Sequence, residues 1–315
     1  MKIVLLDTDT LGADIDLTPI RQLGECTEYA VTSPEDVETR IADAEVVIIN
    51  KVRLNEPNLS CADSLKLICV SATGYDTIDT EYCRSAGIAL CNVPAYATDS
   101  VSQLTLSMAL SLATHLFEYR DFVNSGEYTK AGLANRLSPV YHELSSMTWG
   151  VVGGGGIGSK VASVAQSIGC HVLMCRKKKE ERYESVDIDE LCRRSDIISL
   201  HVPLSDETRG MINAERIAKM KDGAILINVS RGAVTDECAV ADAVLQGKLG
   251  GLGVDVYSTE PFPEDHPFTS LLGHENVCLT PHMAWGSAEA RARCVGVMAK
   301  NITAFFGGDQ LNRIV

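Results

Sequence analysis

Short apolar runs recur along the chain, and between most of them the apolar positions take up a helical spacing. "KIVLLD" (2–7), "AEVVIIN" (44–50) and "LKLICV" (65–70) predict buried strands, and "PEDVETRIADA" (34–44) predicts a helix between the first two. Strands that alternate with helices imply a parallel sheet covered on both faces, because each parallel crossover must leave the sheet and return. From Thr98 to about Ser125 the spacing is helical throughout, which predicts one long helix serving as a connector and as a packing or dimer face. A second series follows. "TWGVVG" (148–153), "HVLMC" (171–175), "DIISLHV" (196–202), "AILINV" (224–229), "GGLGVDV" (250–256) and "VCLTPH" (277–282) predict strands, and "GSAEARARCVGVMAKNITAFFGG" (286–308) predicts a last helix. Two α/β lobes accommodate this better than one very wide sheet, with boundaries near Thr98 and near His282.

Composition narrows the class. At 315 residues and 45% hydrophobic content the chain exceeds the usual single core, which supports two lobes. A net charge of −14 argues against nucleic acid and anionic membrane surfaces as partners. No apolar run reaches membrane-spanning length, and "MKIVLLD" enters a strand without the features of a signal peptide. The eleven cysteines are odd in number, scattered and without a CxxC pair, so a reducing cytoplasm is expected, and neither a disulfide scaffold nor a metal site.

In "WGVVGGGGIG" (149–158), Gly153, Gly155 and Gly158 fill a GxGxxG spacing directly after an apolar strand and before a helical stretch. The first glycine permits a tight turn, the second lets backbone approach a pyrophosphate, and the third lets helix and strand pack closely. Phosphates would then meet the helix N-terminus, so a dinucleotide site is expected. NAD sites usually carry an acidic residue at the end of the next strand, for the ribose 2′-hydroxyl. Here that position is Arg176, followed by Lys177, Lys178 and Lys179. A guanidinium grips a 2′-phosphate where a carboxylate would repel it. NADP is therefore the favoured form of NAD(P), with Arg176 and Lys177 as candidate ligands, while Lys178 and Lys179 fit a solvated basic turn.

Ligands of open α/β folds bind at the carboxyl ends of strands. Arg231 follows the apolar "AILINVS", Asp255 follows "GGLGV" with Glu260 five residues later, and His282 follows "NVCLTP". Together they suggest a carbonyl site in which Arg231 holds a carboxylate, His282 moves a proton, and Glu260 orients the imidazole. By position alone His201, in "DIISLHV", is an equal candidate for the proton-moving group. The other histidines, 115, 142, 171, 266 and 274, suit structural roles.

Over almost its whole length the chain resembles the D-isomer-specific 2-hydroxyacid dehydrogenases. The resemblance rests on "GGGGIG" (153–158), "INVSRGAVTDE" (227–237), "GVDVYSTEP" (253–261) and "LTPHMAWGS" (279–287). Within that family "INKV" (49–52), "SATGYDTID" (71–79), "CNVPAYATDSVSQ" (91–103) and Trp285 look most like glycerate dehydrogenases, also called hydroxypyruvate reductases. The resemblance implies reduction of a small 2-keto acid to the D-2-hydroxy acid. Arg231, Glu260 and His282 would be catalytic. Gly156 and Ile157 would meet the pyrophosphate, Asp255 the nicotinamide amide, and Val202, Val229 and Trp285 would line the cofactor cleft. Thr73 and Gly74 would offer amides to the substrate carboxylate, and Lys51 would face the substrate mouth or the solvent. His201 becomes a cofactor-side residue. The implied architecture is a Rossmann domain (99–282) inserted in a flavodoxin-like substrate domain (1–98 and 283–315), assembled as a homodimer. Two departures from the family stand out: Arg176 replaces a common acid, and Gly156 replaces a longer side chain. The rival readings are a dehydrogenase of another small anion, a branched D-2-hydroxy acid or phosphite, and a nucleotide-dependent scaffold of the corepressor type. The retained Arg231, Glu260 and His282 argue against the scaffold.

Overall fold

The structure, a computed structural model, describes residues 1–177 and 182–315. Lys178 and Lys179 lie outside the described residues. The chain divides into two compact units, Met1–Ala97 with Gly286–Val315, and Thr98–Trp285.

The first unit is built on β1 (Lys2–Leu5), β2 (Glu25–Glu28), β3 (Val46–Ile49), β4 (Leu67–Val70) and β5 (Ala89–Cys91). They form one parallel sheet in the order β2-β1-β3-β4-β5, which is the flavodoxin-like order. β3 and β4 are buried at every position because helices cover both faces, and this is why they read as unbroken apolar runs. β2 and β5 were not expected. β2 is "ECTE" on the sheet edge, half in solvent, and β5 has three residues, so neither carries a hydrophobic signature. Beyond β5 the C-terminal tail adds main-chain bonds, with Ile314 N–H donating to the Leu90 carbonyl at 2.8 Å. The helix Ala288–Phe306 starts at Ser287, whose hydroxyl accepts the Ala290 amide, and buries Ala290, Cys294, Met298 and Ile302 at helical spacing.

The second unit contains β6 (Thr148–Val152), β7 (His171–Cys175), β8 (Glu184–Ser185), β9 (Ile197–Leu200), β10 (Ala224–Asn228), β11 (Leu249–Val254) and β12 (Val277–Leu279). Its parallel order is β12-β11-β10-β9-β6-β7-β8, so the direction of winding reverses between β6 and β9. That reversal is the topological switch point at which dinucleotides bind in doubly wound sheets. The helix Thr98–Ala113 packs on this sheet over Gly251 and Gly253, where added side chains would press on Leu112 and Met108. The long helix expected to Ser125 is interrupted. His115 adopts φ +51°, and a second helix, Leu116–Asn124, starts after it. Among the described residues no helix is long and apolar enough to cross a membrane.

Candidate active site

The apolar strand β6 ends at a glycine turn set at the switch point. Gly153 has φ +104°, which glycine adopts without strain, and a Cβ there would also stand 2.6 Å from the His201 carbonyl oxygen. A Cβ on Gly158 would run into the Gly153 carbonyl, so the helix Gly156–Ser167 closes onto the strand only without one. Gly155 faces open space. The first bond of the helix runs from Ser159 N–H to the Gly155 carbonyl, so the amides of Gly156, Ile157 and Gly158 precede it. This is a cradle for a diphosphate, and it fits the nicotinamide dinucleotide implied by the sequence. Arg176 follows β7 and lies over the same turn, its Nε 2.8 Å from the place a Gly154 Cβ would occupy. A side chain at 154 would make the Arg176 side chain shift, whereas glycine lets it lie there. Lys177 is exposed and pairs with Glu207 at 2.6 Å. Val202 and Val229 follow β9 and β10, and Val202 packs beside Gly153.

Arg231 sits in a loop organised by Asn228 at the end of β10. The Asn228 side chain accepts from Ser230 N–H (3.1 Å) and Ser230 Oγ (2.8 Å), and donates to the Arg231 carbonyl (2.9 Å). The next residue, Gly232, presses on the Tyr257–Ser258 peptide so closely that a Cβ would overlap it. Thus the Arg231 loop and the turn that carries Glu260 are packed backbone to backbone.

Glu260 and His282 meet directly. Oε2 lies 2.6 Å from Nδ1, and Oε1 accepts Tyr257 N–H at 3.0 Å. With Nδ1 facing a carboxylate, the imidazole is oriented by Glu260. His282 itself has φ +52°, an uncommon conformation for a residue with a Cβ, and such strain persists only where the surroundings enforce it. Asp255 does so. Its carboxylate is buried and accepts from Thr280 Oγ1 (2.5 Å), Met283 N–H (2.9 Å) and Ala284 N–H (2.9 Å), clamping the segment on both sides of His282. Burial pushes the Asp255 carboxyl above its usual range, and these three donors hold it back. Trp285 Nε1 donates to the His282 carbonyl at 2.9 Å.

His201 lies apart from this pair in character. Its Nε2 is 3.0 Å from Ser199 Oγ, which also takes Trp149 Nε1–H at 3.0 Å. Although the residue is only half-buried by area, its Nδ1 atom is closed off from solvent with no partner, and burial lowers the imidazole to about 3. A ring that stays neutral suits a packing role beside the glycine turn better than proton delivery.

In the first unit, Lys51 and the Thr73–Gly74 pair follow β3 and β4 at the carboxyl edge of the sheet. Thr73 Oγ1 donates to the Val93 carbonyl (2.8 Å), and Asn92 Nδ2 donates to the Thr73 carbonyl (2.7 Å). Sequence reasoning missed Asp7, at the end of β1. Its carboxylate takes the amides of Asn50 (2.9 Å), Lys51 (2.6 Å) and Val52 (3.2 Å) across the switch point between β1 and β3. Asn228, Glu237 and Thr280 were missed as well. Each is an ordinary polar residue in sequence, and its role comes from partners it meets only in the fold.

The family model described as D-isomer specific 2-hydroxyacid dehydrogenase, NAD binding domain, matches residues 106–284. A hydroxypyruvate reductase of Blautia hydrogenotrophica is 36% identical over 99% of this chain and 99% of that protein. A glycerate dehydrogenase of Methylorubrum extorquens is 33% identical over 99% and 98%. Among solved structures, a D-lactate dehydrogenase from Aquifex aeolicus complexed with NAD and lactic acid superposes with a TM-score of 0.89 at 32% identity, covering 99% of both chains.

Proposed function

The chain belongs to the D-isomer-specific 2-hydroxyacid dehydrogenases, and we propose that its substrates are hydroxypyruvate, reduced to D-glycerate, and glyoxylate, reduced to glycolate, with a preference for NADPH. It is an oxidoreductase of CH–OH groups. The observation that carries the reading is the 2.6 Å contact of Glu260 with His282 Nδ1, which orients the imidazole as an acid–base pair requires. The named relatives, a hydroxypyruvate reductase and a glycerate dehydrogenase, support the substrate class.

A bound reduced nicotinamide supplies hydride to the keto carbon. The chain supplies everything else. Protonated His282 gives its Nε2 proton to the keto oxygen as charge gathers there, and Glu260 stabilises the imidazolium through Nδ1–H. The Arg231 guanidinium holds the substrate carboxylate with two donors, which a lysine cannot reproduce. Removing one such preorganised donor typically costs about 2.7–4 kcal/mol of transition-state stabilisation. Thr73 and Gly74 are assigned to the substrate carboxylate, and Lys51 to the substrate mouth. Gly153, Gly155, Gly156, Ile157 and Gly158 would hold the pyrophosphate, with Val202, Val229 and Trp285 around the nicotinamide. Asp255 is assigned first to fixing the His282 segment, on the strength of its three donors, and through it to the nicotinamide side of the site.

The preference for NADPH is supported by Arg176 lying over Gly154. Lys177, already paired with Glu207, adds charge at the rim. A homodimer built on the second unit is supported by exposed apolar side chains at Leu133, Leu137, Val140 and Tyr141. Residence in the cytoplasm is supported by the cysteines, all of them free thiols.

The test is a panel of hydroxypyruvate, glyoxylate, pyruvate, a branched 2-keto acid and, in the oxidative direction, phosphite, run with both coenzymes. Oxidation of NADPH by the first two, giving D-glycerate and glycolate respectively, is the expected result. Turnover of none of them, or of phosphite alone, would overturn the assignment.

A further inference from the structure

Outside the acid–base pair, the second unit buries a second imidazole–carboxylate pair that no step of the reaction uses. Glu237 opens the helix Glu237–Leu245, and its side chain is 9% exposed. His266, 4% exposed, places Nε2 at 3.1 Å from Glu237 Oε2. Phe268 N–H donates to His266 Nδ1 at 3.2 Å. That bond requires Nδ1 to be the acceptor, so the imidazole proton sits on Nε2 and points at the carboxylate. Glu237 also accepts Ser258 N–H at 2.9 Å and the Ser258 hydroxyl.

The place where Ser258 sits gives the pair its meaning. Tyr257 N–H donates to Glu260 Oε1, and the very next amide, Ser258 N–H, donates to Glu237 Oε1. Two carboxylates therefore grip successive amides of one short turn, and Gly232 presses on the same peptide from the Arg231 side. Held this way, the turn fixes Glu260 Oε1, and Oε2 is aimed at His282 Nδ1.

We propose that Glu237, oriented by His266, is a positioning residue that holds the Tyr257–Ser258 turn and thereby sets the alignment of Glu260 with His282. The proposal rests on the reading of Glu260 and His282 as the acid–base pair. Asp255 faces His282, Tyr257 faces Glu260 together with Asp255, Cys278 and Glu237, and His266 faces Glu237. The Arg231 guanidinium belongs to the adjoining loop. If Glu237 loses its charge, three donors lose an anionic acceptor, the turn relaxes, and the carboxylate of Glu260 swings away from Nδ1. The imidazolium form of His282 is then less favoured.

The decisive experiment follows the His282 imidazole by NMR titration in histidine-labelled protein, assigned with His282→Asn, in wild type, Glu237→Gln and Ser258→Ala. The expected result is a downward shift of the His282 midpoint by about half a pH unit or more in Glu237→Gln. A smaller shift in the same direction is expected in Ser258→Ala. Ser258 is exposed, and its alanine variant keeps the Glu237 charge, so it separates geometry from plain loss of charge and covers the case in which Glu237→Gln does not fold. The basic limb of kcat/KM should move with the midpoint. An unchanged midpoint in Ser258→Ala overturns the proposal, as does an unchanged midpoint in folded Glu237→Gln, whatever happens to the rate. A wild type that turns over no keto acid would sink the dehydrogenase substrate reading instead, and the titration would still decide the positioning role.

Discussion

Replacing Glu260 by glutamine tests the acid–base pair at one atom. Tyr257 N–H donates to Glu260 Oε1 at 3.0 Å, so a glutamine at 260 keeps its carbonyl oxygen on that side. Its amide nitrogen then occupies the Oε2 position, 2.6 Å from His282 Nδ1, and presents a donor where the wild type presents an acceptor. Nδ1 must now accept, which leaves the neutral ring with its proton on Nε2 and removes the anion that favours the imidazolium. A hydrogen bond to a charged group contributes about 1.5–3 kcal/mol. Without that anion the protonated ring is harder to form, so the basic limb of kcat/KM for keto-acid reduction should move to lower pH. At slightly alkaline pH the rate drops by about ten- to a hundredfold, and much of it returns on acidification. Initial rates across the pH range with saturating coenzyme measure this directly. A limb that stays in place, or a loss that is uniform across pH, would refute the reasoning.

Two further outcomes are expected. Arg176→Asp should lower the ratio of kcat/KM with NADPH to that with NADH, because a carboxylate over Gly154 repels a 2′-phosphate; an unchanged ratio removes Arg176 from that role. His201, lowered to about 3 from an ordinary 6.5, makes folding stability depend on pH. Below the ordinary value the unfolded chain takes up a proton that the folded chain refuses, so stability is complete above it and is lost as pH falls towards 3. The slope contributed is up to about 1.4 kcal/mol per pH unit, and His201→Gln should lack it when urea midpoints are compared at neutral and mildly acid pH.

The sheet strands with apolar runs and the glycine turn were legible because each is local, and the pairing of Glu260 with His282 was read from their places after successive strands. "VVII" can only be buried, and GxGxxG carries its turn in its own spacing. The edge strand "ECTE" was not legible, since one bonded neighbour and half-exposed side chains leave no hydrophobic period. The break at His115 was missed because the apolar spacing continues through it, and only the backbone changes. The supports of the site were hidden for another reason. Asp7 meets amides 43 to 45 residues away, Thr280 meets Asp255 across 25, and Glu237 meets Ser258 across 21. No short-range pattern encodes such pairs. The residues proposed to face the substrate were read from strand ends, whereas the residues that hold them in place depend on tertiary packing.

The most direct measurement of the central claim compares wild type with His282→Ala, reading kcat/KM for hydroxypyruvate beside the dissociation constant of the reduced coenzyme. If Nε2 delivers the proton, kcat/KM falls by about two to four orders of magnitude while the coenzyme binds as before. Turnover close to that of wild type would contradict it.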